Sequence, residues 1–411
     1  MLTRRKVLKV AAAGAAIVGP GSALPQLLAP EAESKEALTL SPGVPEGTRA
    51  EAILDALPGK RPLIKLAYRP PNYETPISYF KKSITPTDAF FVRYHLSNIP
   101  EVDPKSWKLT IGGEGAGQTM ELGFEDLKAL PAVDLTAVLQ CSGNRRGLFH
   151  PHVAGVEWGY GAMGCARWKG VRLKDLLDKV GLKKEAVEIV VNGADGPVTD
   201  RTPDFVKSIP VWKAMEETTL IAYEMNGEPL PHWNGFPARL IVPGWTGTYW
   251  MKHLISVTPV TKPFDGFWMK SAYRIPLGKF PVVAHFTTQE TAVNTPITEM
   301  VVNSLITSHA DGAMVRADTA VTIAGIAWDG GYGINSVDVS GDGGTGVAIG
   351  NAIVISQAPR TPFFVRKSCS RSAHSLGAGG HLYGAPHTPT TACPLEKPGR
   401  TSATRSAPAT E

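Results

Sequence analysis

The chain has 411 residues, enough for two domains, because a single hydrophobic core rarely grows beyond about 250–300 residues. Hydrophobic residues make up 43% of it and charged residues 19%, a composition typical of folded globular proteins. No uninterrupted apolar run approaches the roughly 20 residues that span a bilayer, so we expect a soluble protein without a membrane span.

The net charge of +5 is concentrated at the two ends of the chain. Residues 1–23 contain four basic side chains and no acidic one, and residues 346–411 contain seven basic and two acidic ones. Subtracting +4 and +5 from the total leaves about −4 for residues 24–345. Lys and Arg in this body form no runs, and they do not alternate with aromatic residues as a phosphate-binding surface would require. The charge distribution therefore excludes a nucleic-acid partner.

The first residues have the order of a twin-arginine export signal. Arg4 and Arg5 precede a weakly apolar stretch at 11–18, and small residues follow at 21–23. A short basic and alanine-rich helix is the alternative, but it does not explain this order. We expect the mature protein to begin near Leu24 in the bacterial periplasm. Because the twin-arginine route carries folded proteins, commonly already loaded with a cofactor, the signal also suggests a cofactor.

The four cysteines, at positions 141, 165, 369 and 393, form no C-x-x-C pair and no C-x-x-C-H haem attachment site. We therefore expect no c-type haem in this chain. An even number of cysteines permits disulfides in an oxidising compartment, but the spacing assigns no pair and we predict none.

Residues 61–290 have the pattern of a domain with mixed strands and helices. Short β-branched or aromatic runs between turn residues predict strands at 89–95, 135–139, 187–191 and 239–242. Apolar residues at i, i+3, i+4 and i+7 from Leu173, followed by a glycine, predict an amphipathic helix that packs on a sheet. The preceding residues, 24–60, lack a clear period and predict a mobile or surface-hugging lead-in.

A second, all-β domain is predicted to begin at 291–345. Strand-like runs at 300–306, 320–327 and 334–339 alternate with Asp-Gly and Gly-Gly turns, as in an immunoglobulin-like sandwich. The tail, 346–411, has few large apolar side chains and no sustained strand period, so we expect it to be mostly disordered. The predicted fold class is α+β, a mixed domain followed by an incomplete β-sandwich with an exposed edge.

The sharpest chemical feature is the segment Cys-Ser-Gly-Asn-Arg-Arg, which begins at Cys141 and ends at Arg146. It places a cysteine at the end of a buried strand with two guanidinium groups close behind. Neighbouring cations favour the thiolate, which is the form that binds soft-ligand metals. Taken alone, the segment also suits an inert core cysteine or a nucleophile paired with a distant histidine.

This segment resembles the C-x-G-N-R-R loop of the sulfite oxidase family. In that family the cysteine gives its thiolate to molybdenum, which also binds two sulfurs of a pyranopterin dithiolate. The resemblance implies that Cys141 is the metal ligand, that the cofactor is molybdenum-molybdopterin and that Arg146 binds the substrate.

Three further segments carry the same resemblance. One is similar to the family's F-x-V-R-x-H segment, which implies cofactor contacts from Phe91, Val92, Arg93, Tyr94 and His95, with Arg93 also at the substrate. Two others resemble the stretches that anchor the pterin, where a cationic pair suits its terminal phosphate. These imply contacts from Asp195, Asn234, Arg239, Trp250, Met251 and Lys252.

Some of these residues have plainer alternatives. Asn234 stands where some relatives have histidine, and its amide can still hydrogen-bond the pterin. Asp195 could be an ordinary turn residue, and Arg93 or His95 taken singly could face water from an edge strand. Tyr273 resembles the tyrosine that the family keeps over its substrate pocket, although a half-buried aromatic is the commoner fate of a tyrosine.

The resemblance extends from about Tyr68 to Gly344 and departs from the family at two places. Cys165 stands where relatives usually have asparagine, and we interpret it as a structural thiol. After Gly344 the family continues with further strands and a dimerisation surface, whereas this chain continues with basic, strand-poor sequence that looks frame-shifted or divergent. This difference counts against the homodimer that the family forms, and the sequence alone does not decide whether this chain dimerises.

The resemblance implies oxidation of sulfite to sulfate, with electrons passed to an external periplasmic acceptor such as a c-type cytochrome. Arg93 and Arg146 would bind the sulfite oxygens, Tyr273 would hydrogen-bond the substrate, and His95 would support the site. Rivals with the same cofactor are the molybdenum subunit of a sulfane-sulfur dehydrogenase and a periplasmic methionine-sulfoxide reductase. A rival from another class is an exported, non-enzymatic binding protein with an immunoglobulin-like module, which would bind no metal.

Overall fold

Seven stretches of the chain are described by its computed structural model: 37–39, 51–278, 286–310, 313–316, 321–337, 363–369 and 403–405. The predicted export signal lies outside these stretches. So do most of the tail and residues 24–36 and 40–50 of the lead-in.

Strands dominate the described part of the chain. In chain order they are β1 (Ala37–Thr39), β2 (Glu51–Asp55), β3 (Leu63–Ala67), β4 (Asn72–Glu74), β5 (Val92–Arg93), β6 (Lys108–Ile111), β7 (Met120–Gly123), β8 (Ala132–Gln140), β9 (Met163–Arg172), β10 (Glu188–Gly193), β11 (Val206–Pro210), β12 (Leu220–Met225), β13 (Glu228–Pro229), β14 (Arg239–Ile241), β15 (Leu254–Val260), β16 (Arg274–Pro276), β17 (Asn294–Pro296), β18 (Asn303–Ile306), β19 (Val321–Trp328), β20 (Ile334–Val337), β21 (Phe363–Cys369) and β22 (Ala403–Arg405).

Helices are short. The α-helices are α1 (Phe124–Lys128), α2 (Leu173–Lys179), α3 (Val211–Ala214) and α4 (Phe267–Lys270), and 3-10 turns span Ile77–Lys81, Thr87–Ala89, Arg146–Leu148, His232–Asn234, Gly247–Tyr249 and Thr287–Gln289. The longest α-helix of the described stretches has seven residues, which is too short to cross a bilayer.

Three sheets form the larger domain. Their strand orders are β1-β2-β3-β4-β5, β11-β10-β15-β6-β7 and β13-β12-β9-β8, with β14 also paired to β12. Neighbouring strands are antiparallel except for β15 and β6. The predicted amphipathic helix is present as α2, which buries Leu173, Leu176 and Leu177 completely and is followed by Gly181 with a left-handed φ of +69°. Periodicity therefore predicted this helix because its apolar face packs on the core.

The second domain contributes the sheet β18-β19-β21, in which β21 pairs with β19 over the full length of β21. The expected lack of strands therefore does not hold for Phe363–Cys369 or for Ala403–Arg405, which pairs with β20. Glu51–Asp55, in the segment predicted to be a mobile or surface-hugging lead-in, also forms a strand, which pairs with β3. These strands could not be predicted from composition, because the backbone N–H and C=O groups of an unpaired strand edge form hydrogen bonds with any segment that lies beside it.

The second domain also contacts the cysteine loop directly. The indole of Trp328 on β19 donates to Gln140 Oε1 at 2.6 Å, one residue before Cys141. Arg145 Nη2, four residues beyond Cys141, donates to the carbonyl of Ser304 on β18 at 2.6 Å. The two domains therefore hold both sides of the loop that carries Cys141.

A buried carboxylate supports the same loop from the other side. Glu74 at the end of β4 accepts hydrogen bonds from the backbone N–H groups of Gly159 and Gly161, each at 2.7 Å. This segment leads to Ala162, whose carbonyl accepts from the Cys141 N–H at 2.9 Å. A Cβ on Gly161 would lie 1.9 Å from the Thr75 carbonyl oxygen, so only glycine permits this approach.

Replacing Glu74 should change how stability depends on pH. Burial raises the pKa of Glu74 to about 7 from 4.5, so the native state binds a proton that the unfolded chain releases. Stability from this group is fully present below about pH 4.5 and is lost as pH rises to about 7. We expect chemical denaturation to show the parent losing roughly 2–3 kcal/mol relative to Glu74→Gln over this window. Glu121→Gln, an exposed control, should run parallel to the parent, and a parallel Glu74→Gln curve would contradict the prediction.

Candidate active site

A cleft with about 630 Å³ of free space, its open mouth included, lies where the cysteine loop meets the ends of β5 and β15. Its lining residues are Phe91, Arg93, His95, Leu139, Cys141, Ser142, Asp195, Phe205, Trp233, Asn234, Arg239, Gly247, Thr248, Trp250, Met251, Lys252 and Tyr273. Most residues predicted to form the site therefore line one cavity, and the exceptions are Val92, Tyr94 and Arg146.

Cys141 follows the last residue of β8 and is 7% exposed. The Gly143 N–H donates to its Sγ at 3.5 Å. The Arg146 guanidinium lies across the loop, where a Cβ on Gly143 would meet Arg146 Nη1 at 2.6 Å. Arg146 also donates to the Val156 carbonyl at 3.2 Å. The loop therefore brings one buried thiol and one guanidinium close together.

Three of the four predicted catalytic residues, Arg93, His95 and Tyr273, contact one another at the Tyr273 hydroxyl. His95 Nε2 is hydrogen-bonded to this hydroxyl, and Arg93 Nη2 donates to it at 3.5 Å. Burial raises the pKa of Tyr273, while the charges of Arg93 and Arg146 oppose that shift and Cys141 adds to it. The phenol therefore keeps its proton at neutral pH. Tyr273 has a φ of +58°, a backbone conformation that residues other than glycine adopt only when their surroundings enforce it.

His95 is held between aromatic rings. Its ring stacks on Phe205 with centroids 3.6 Å apart and lies 5.3 Å from the Trp268 ring. Burial lowers the pKa of His95 well below its usual value, and the neighbouring cations Arg93 and Lys252 add to the shift. The imidazole is therefore neutral and adds no charge to the cleft.

Two residues of the predicted cofactor segment face away from the cleft. Val92 and Tyr94 alternate with Arg93 along the strand and pack into a separate cluster with Leu63. The Tyr94 hydroxyl donates to His253 Nε2 at 2.8 Å, because the other ring nitrogen of His253 donates to the carbonyl of residue 236. Any contact that Val92 or Tyr94 makes with a ligand in the cleft would therefore involve the backbone.

Two cations, the buried Arg239 and the half-buried Lys252, also line the cleft. Arg239, 3% exposed, donates to the carbonyls of Asn234 at 2.9 Å and Trp250 at 3.0 Å. Burial lowers the pKa of Arg239 to about 9. Lys252 Nζ donates to the Arg93 carbonyl at 2.6 Å, and burial lowers the pKa of this amine as well. Both charges would be better satisfied by an anion than by these carbonyls.

Asp195 is the acidic residue among those that line the cleft. Burial raises its pKa to about 6, and the charge of Lys252 opposes the shift. Within the described stretches, Asp195 Oδ1, Arg239 Nε and Thr248 Oγ1 are buried and have no hydrogen-bond partner. Buried groups of this kind are rare unless a ligand or water satisfies them. Together with the excess of cations, they fit a polar, anionic ligand such as a pterin with a terminal phosphate.

No group of three His, Cys, Asp or Glu side chains that could hold a metal ion occurs in the described part of the chain. A metal at Cys141 would therefore take most of its ligands from a non-protein group, as a pterin dithiolate would provide. Cys141 and Cys165 are both free thiols. Cys165 is buried outside the cleft, and burial raises its pKa.

Sequence reasoning missed several residues at or behind the cleft. Thr248 precedes the Trp-Met-Lys segment by two residues, so extending that motif would have found it. Phe205 is one aromatic residue among many and gives no local signal. Lys60, which contacts Asn234, lies at the end of the predicted lead-in, 174 residues earlier in the chain.

Replacing Lys252 should separate stability from ligand binding. Lys252→Met removes a charge that burial disfavours, at the cost of one hydrogen bond worth about 1 kcal/mol and of the contact between Lys252 Nζ and the Tyr94 ring, 2.8 Å from its centroid. We expect the free energy of unfolding of the cofactor-free variant to equal or exceed that of the parent by about 1 kcal/mol, while retention of an anionic cofactor falls. Lys183→Met, at an exposed lysine, should change neither. A loss of more than about 2 kcal/mol would show that Asp195 already satisfies the Lys252 charge.

Comparison with known proteins places this geometry in a family. Residues 95–268 match the model of the oxidoreductase molybdopterin binding domain, and residues 294–360 match that of the Mo-co oxidoreductase dimerisation domain. The second match confirms the predicted order of a mixed domain followed by an immunoglobulin-like one. It also extends to residue 360, so the likeness does not end near Gly344 as the sequence analysis expected.

Individual relatives agree with these matches. The chain is 38% identical over 296 residues to human mitochondrial sulfite oxidase, covering 70% of this chain and 53% of that protein. It is 34% identical over 313 residues to the sulfite oxidase of Arabidopsis thaliana, covering 72% and 78% respectively. The chain thus spans about half the length of its mitochondrial relatives and most of the plant one.

A solved structure is also similar. The sulfane dehydrogenase SoxCD from Paracoccus pantotrophus superposes with a TM-score of 0.62 at 27% identity, covering 74% of this chain and 73% of that one. Both domain matches, the plant relative and this superposition lead to the same conclusion. The chain belongs to the sulfite oxidase family of molybdopterin oxidoreductases.

Proposed function

We propose that this protein oxidises sulfite to sulfate at a molybdenum-pterin centre with Cys141 as the protein ligand of the metal. The observation that carries the proposal is that Cys141, Arg93 and Tyr273 line one cleft, in which Arg93 Nη2 donates to the Tyr273 hydroxyl at 3.5 Å. The names of the sulfite oxidases at 34–38% identity support the choice of substrate.

The bound cofactor would supply the two-electron oxidation, and the residues of this chain would position the substrate. Arg93 lies beside the Tyr273 hydroxyl and Arg146 lies in the loop that carries Cys141, so the two guanidinium groups would bind the oxygens of a small oxyanion through charge-assisted hydrogen bonds. Tyr273, held by His95 and Arg93, can hydrogen-bond the same anion. Because His95 is neutral, the imidazole adds no charge to the attraction for the anion.

The far end of the cleft would hold the pterin. Arg239 and Lys252 are the cations suited to its terminal phosphate, and the unpartnered Arg239 Nε, Asp195 Oδ1 and Thr248 Oγ1 offer hydrogen bonds to its polar edge. Asn234 lies among these groups, with its side chain 2% exposed. This division gives the cleft one end for the substrate and one for the cofactor.

The electrons would pass to an external acceptor in the periplasm, such as a c-type cytochrome. The order of basic, apolar and small residues at 1–23 supports export by the twin-arginine route. The match to the dimerisation domain supports a homodimer, which light scattering of the purified protein would test.

A sulfane dehydrogenase is the second candidate, because SoxCD shares the fold over nearly three quarters of both chains. Metal analysis together with dye reduction distinguishes the two. We expect about one molybdenum per chain and dye reduction that depends on sulfite. Reduction by a sulfane-sulfur substrate but not by sulfite would favour the second candidate, and a protein without molybdenum would contradict both.

Replacing Cys141 should abolish sulfite oxidation. Cys141→Ser removes the soft thiolate, so we expect a soluble protein that retains pterin but shows no sulfite-dependent turnover. Cys165→Ala, which changes the buried thiol outside the cleft, should keep the activity. Turnover like that of the parent in Cys141→Ser would contradict the assignment of Cys141 as metal ligand.

Both arginines that would bind the substrate, Arg93 and Arg146, should be needed for sulfite binding. Losing one charge-assisted hydrogen bond costs about 1.5–3 kcal/mol, so Arg93→Gln or Arg146→Gln should lower kcat/KM for sulfite roughly ten- to a hundredfold. Steady-state kinetics would measure the change, with the exposed Arg167→Gln as control. If both variants behave like the parent, the substrate binds elsewhere.

A further inference from the structure

Lys60 is a buried lysine, 8% exposed, that precedes β3 and lies outside both family-model matches. Its Nζ is 2.5 Å from Asn234 Oδ1, 2.8 Å from the Thr87 carbonyl and 3.1 Å from the Phe90 carbonyl. An ammonium group has three donors, and here each donor has one acceptor. Lys60 therefore connects the segment before β3 to the 3-10 turn that carries Asn234.

This contact sets the orientation of the Asn234 amide. An ammonium group only donates, so the amide atom that faces Lys60 must be the oxygen. Asn234 Nδ2 then points away from Lys60, and its remaining contact is a long one of 3.4 Å to the Phe91 carbonyl. Because Asn234 lines the cleft, its amide offers the cleft an N–H donor rather than an acceptor.

A second contact holds the same two segments together. The indole of Trp233 donates to the Pro58 carbonyl at 2.9 Å, and the Lys60 N–H donates to the Leu57 carbonyl at 2.8 Å. Lys60 and Trp233 thus form a clasp between 57–60 and the Asn234 turn.

Burial lowers the pKa of Lys60 to about 7, and the nearby Asp88 opposes the shift. The ammonium form is the one that donates all three hydrogen bonds.

We propose that Lys60 is a positioning residue that fixes Asn234 as a hydrogen-bond donor to an acceptor atom of the pterin cofactor. The proposal rests on the proposed function only in requiring that the cleft holds the pterin. A free asparagine amide can present either its oxygen or its nitrogen, and the Lys60 contact removes this choice. Lys60 would thereby bring the segment before β3 into the cofactor site.

A double-mutant cycle on cofactor retention tests the proposal. Purified full-length protein is dialysed, and molybdenum and released pterin are measured per chain over time. Lys60→Met should release the cofactor about three- to tenfold faster than the parent, the effect of one lost hydrogen bond. In an Asn234→Ala background, the same substitution should cause no further loss. Arg61→Met, which breaks the neighbouring contact with Asp88 without reaching Asn234, is the control and should retain cofactor like the parent.

The cycle separates positioning from a merely structural role. If Lys60→Met weakens retention equally in both backgrounds, Lys60 acts through the Thr87 and Phe90 carbonyls, and the proposal is wrong. Retention like that of the parent in Lys60→Met would also overturn it. Failure of the proposed function would give a different result. If the parent holds molybdenum but does not oxidise sulfite, sulfite is not the substrate, and the double-mutant cycle on cofactor retention can still be interpreted.

A second variant tests the donor even if Lys60→Met does not fold. Asn234→Asp keeps the shape of the side chain and places a carboxylate against the Lys60 ammonium, so the protein should fold at least as well as the parent. The carboxylate has no N–H to offer the pterin, and cofactor release should accelerate at least as much as in Lys60→Met. Parent-like retention in a folded Asn234→Asp protein would show that the donor is not used.

Discussion

The buried positive charge of the cleft is the constraint on which the site depends. Arg239 is buried, Lys252 is half-buried, and Asp195 is the acidic residue that lines the cleft with them. Backbone carbonyls from the cofactor-facing loops accept hydrogen bonds from both side chains and keep them in place. This arrangement leaves the charges incompletely compensated, so an anionic cofactor would find donors already oriented and would relieve their desolvation cost.

The cysteine loop is the second point where several elements meet. Glu74 holds the segment that pairs with it, Trp328 contacts the residue before Cys141, and Arg145 contacts the second domain beyond it. Each contact comes from a different part of the chain. The dimerisation-type domain therefore contributes to the geometry of the active site as well as to any contact between subunits.

The cleft combines groups that suit different tasks. Around Tyr273, a neutral His95 and a protonated phenol contribute no charge, and Arg93 is the guanidinium in contact with the hydroxyl. Arg239 and Lys252 suit a phosphate, and the Lys60 clasp orients the amide of Asn234 in the same cleft.

Local sequence was sufficient for features whose signal is local. The leucine period predicted α2 because one helical face is buried, and the loop from Cys141 to Arg146 carries its chemistry in consecutive residues. Strand alternation would also have indicated that Val92 and Tyr94 face away from Arg93. Only the tertiary structure decided the pairing of β21 with β19 and the contact of Lys60 with Asn234 across 174 residues. Such contacts depend on which strand edge or buried oxygen still lacks a hydrogen-bond partner after the rest of the chain has folded. No periodic pattern of apolar residues in the sequence predicts this.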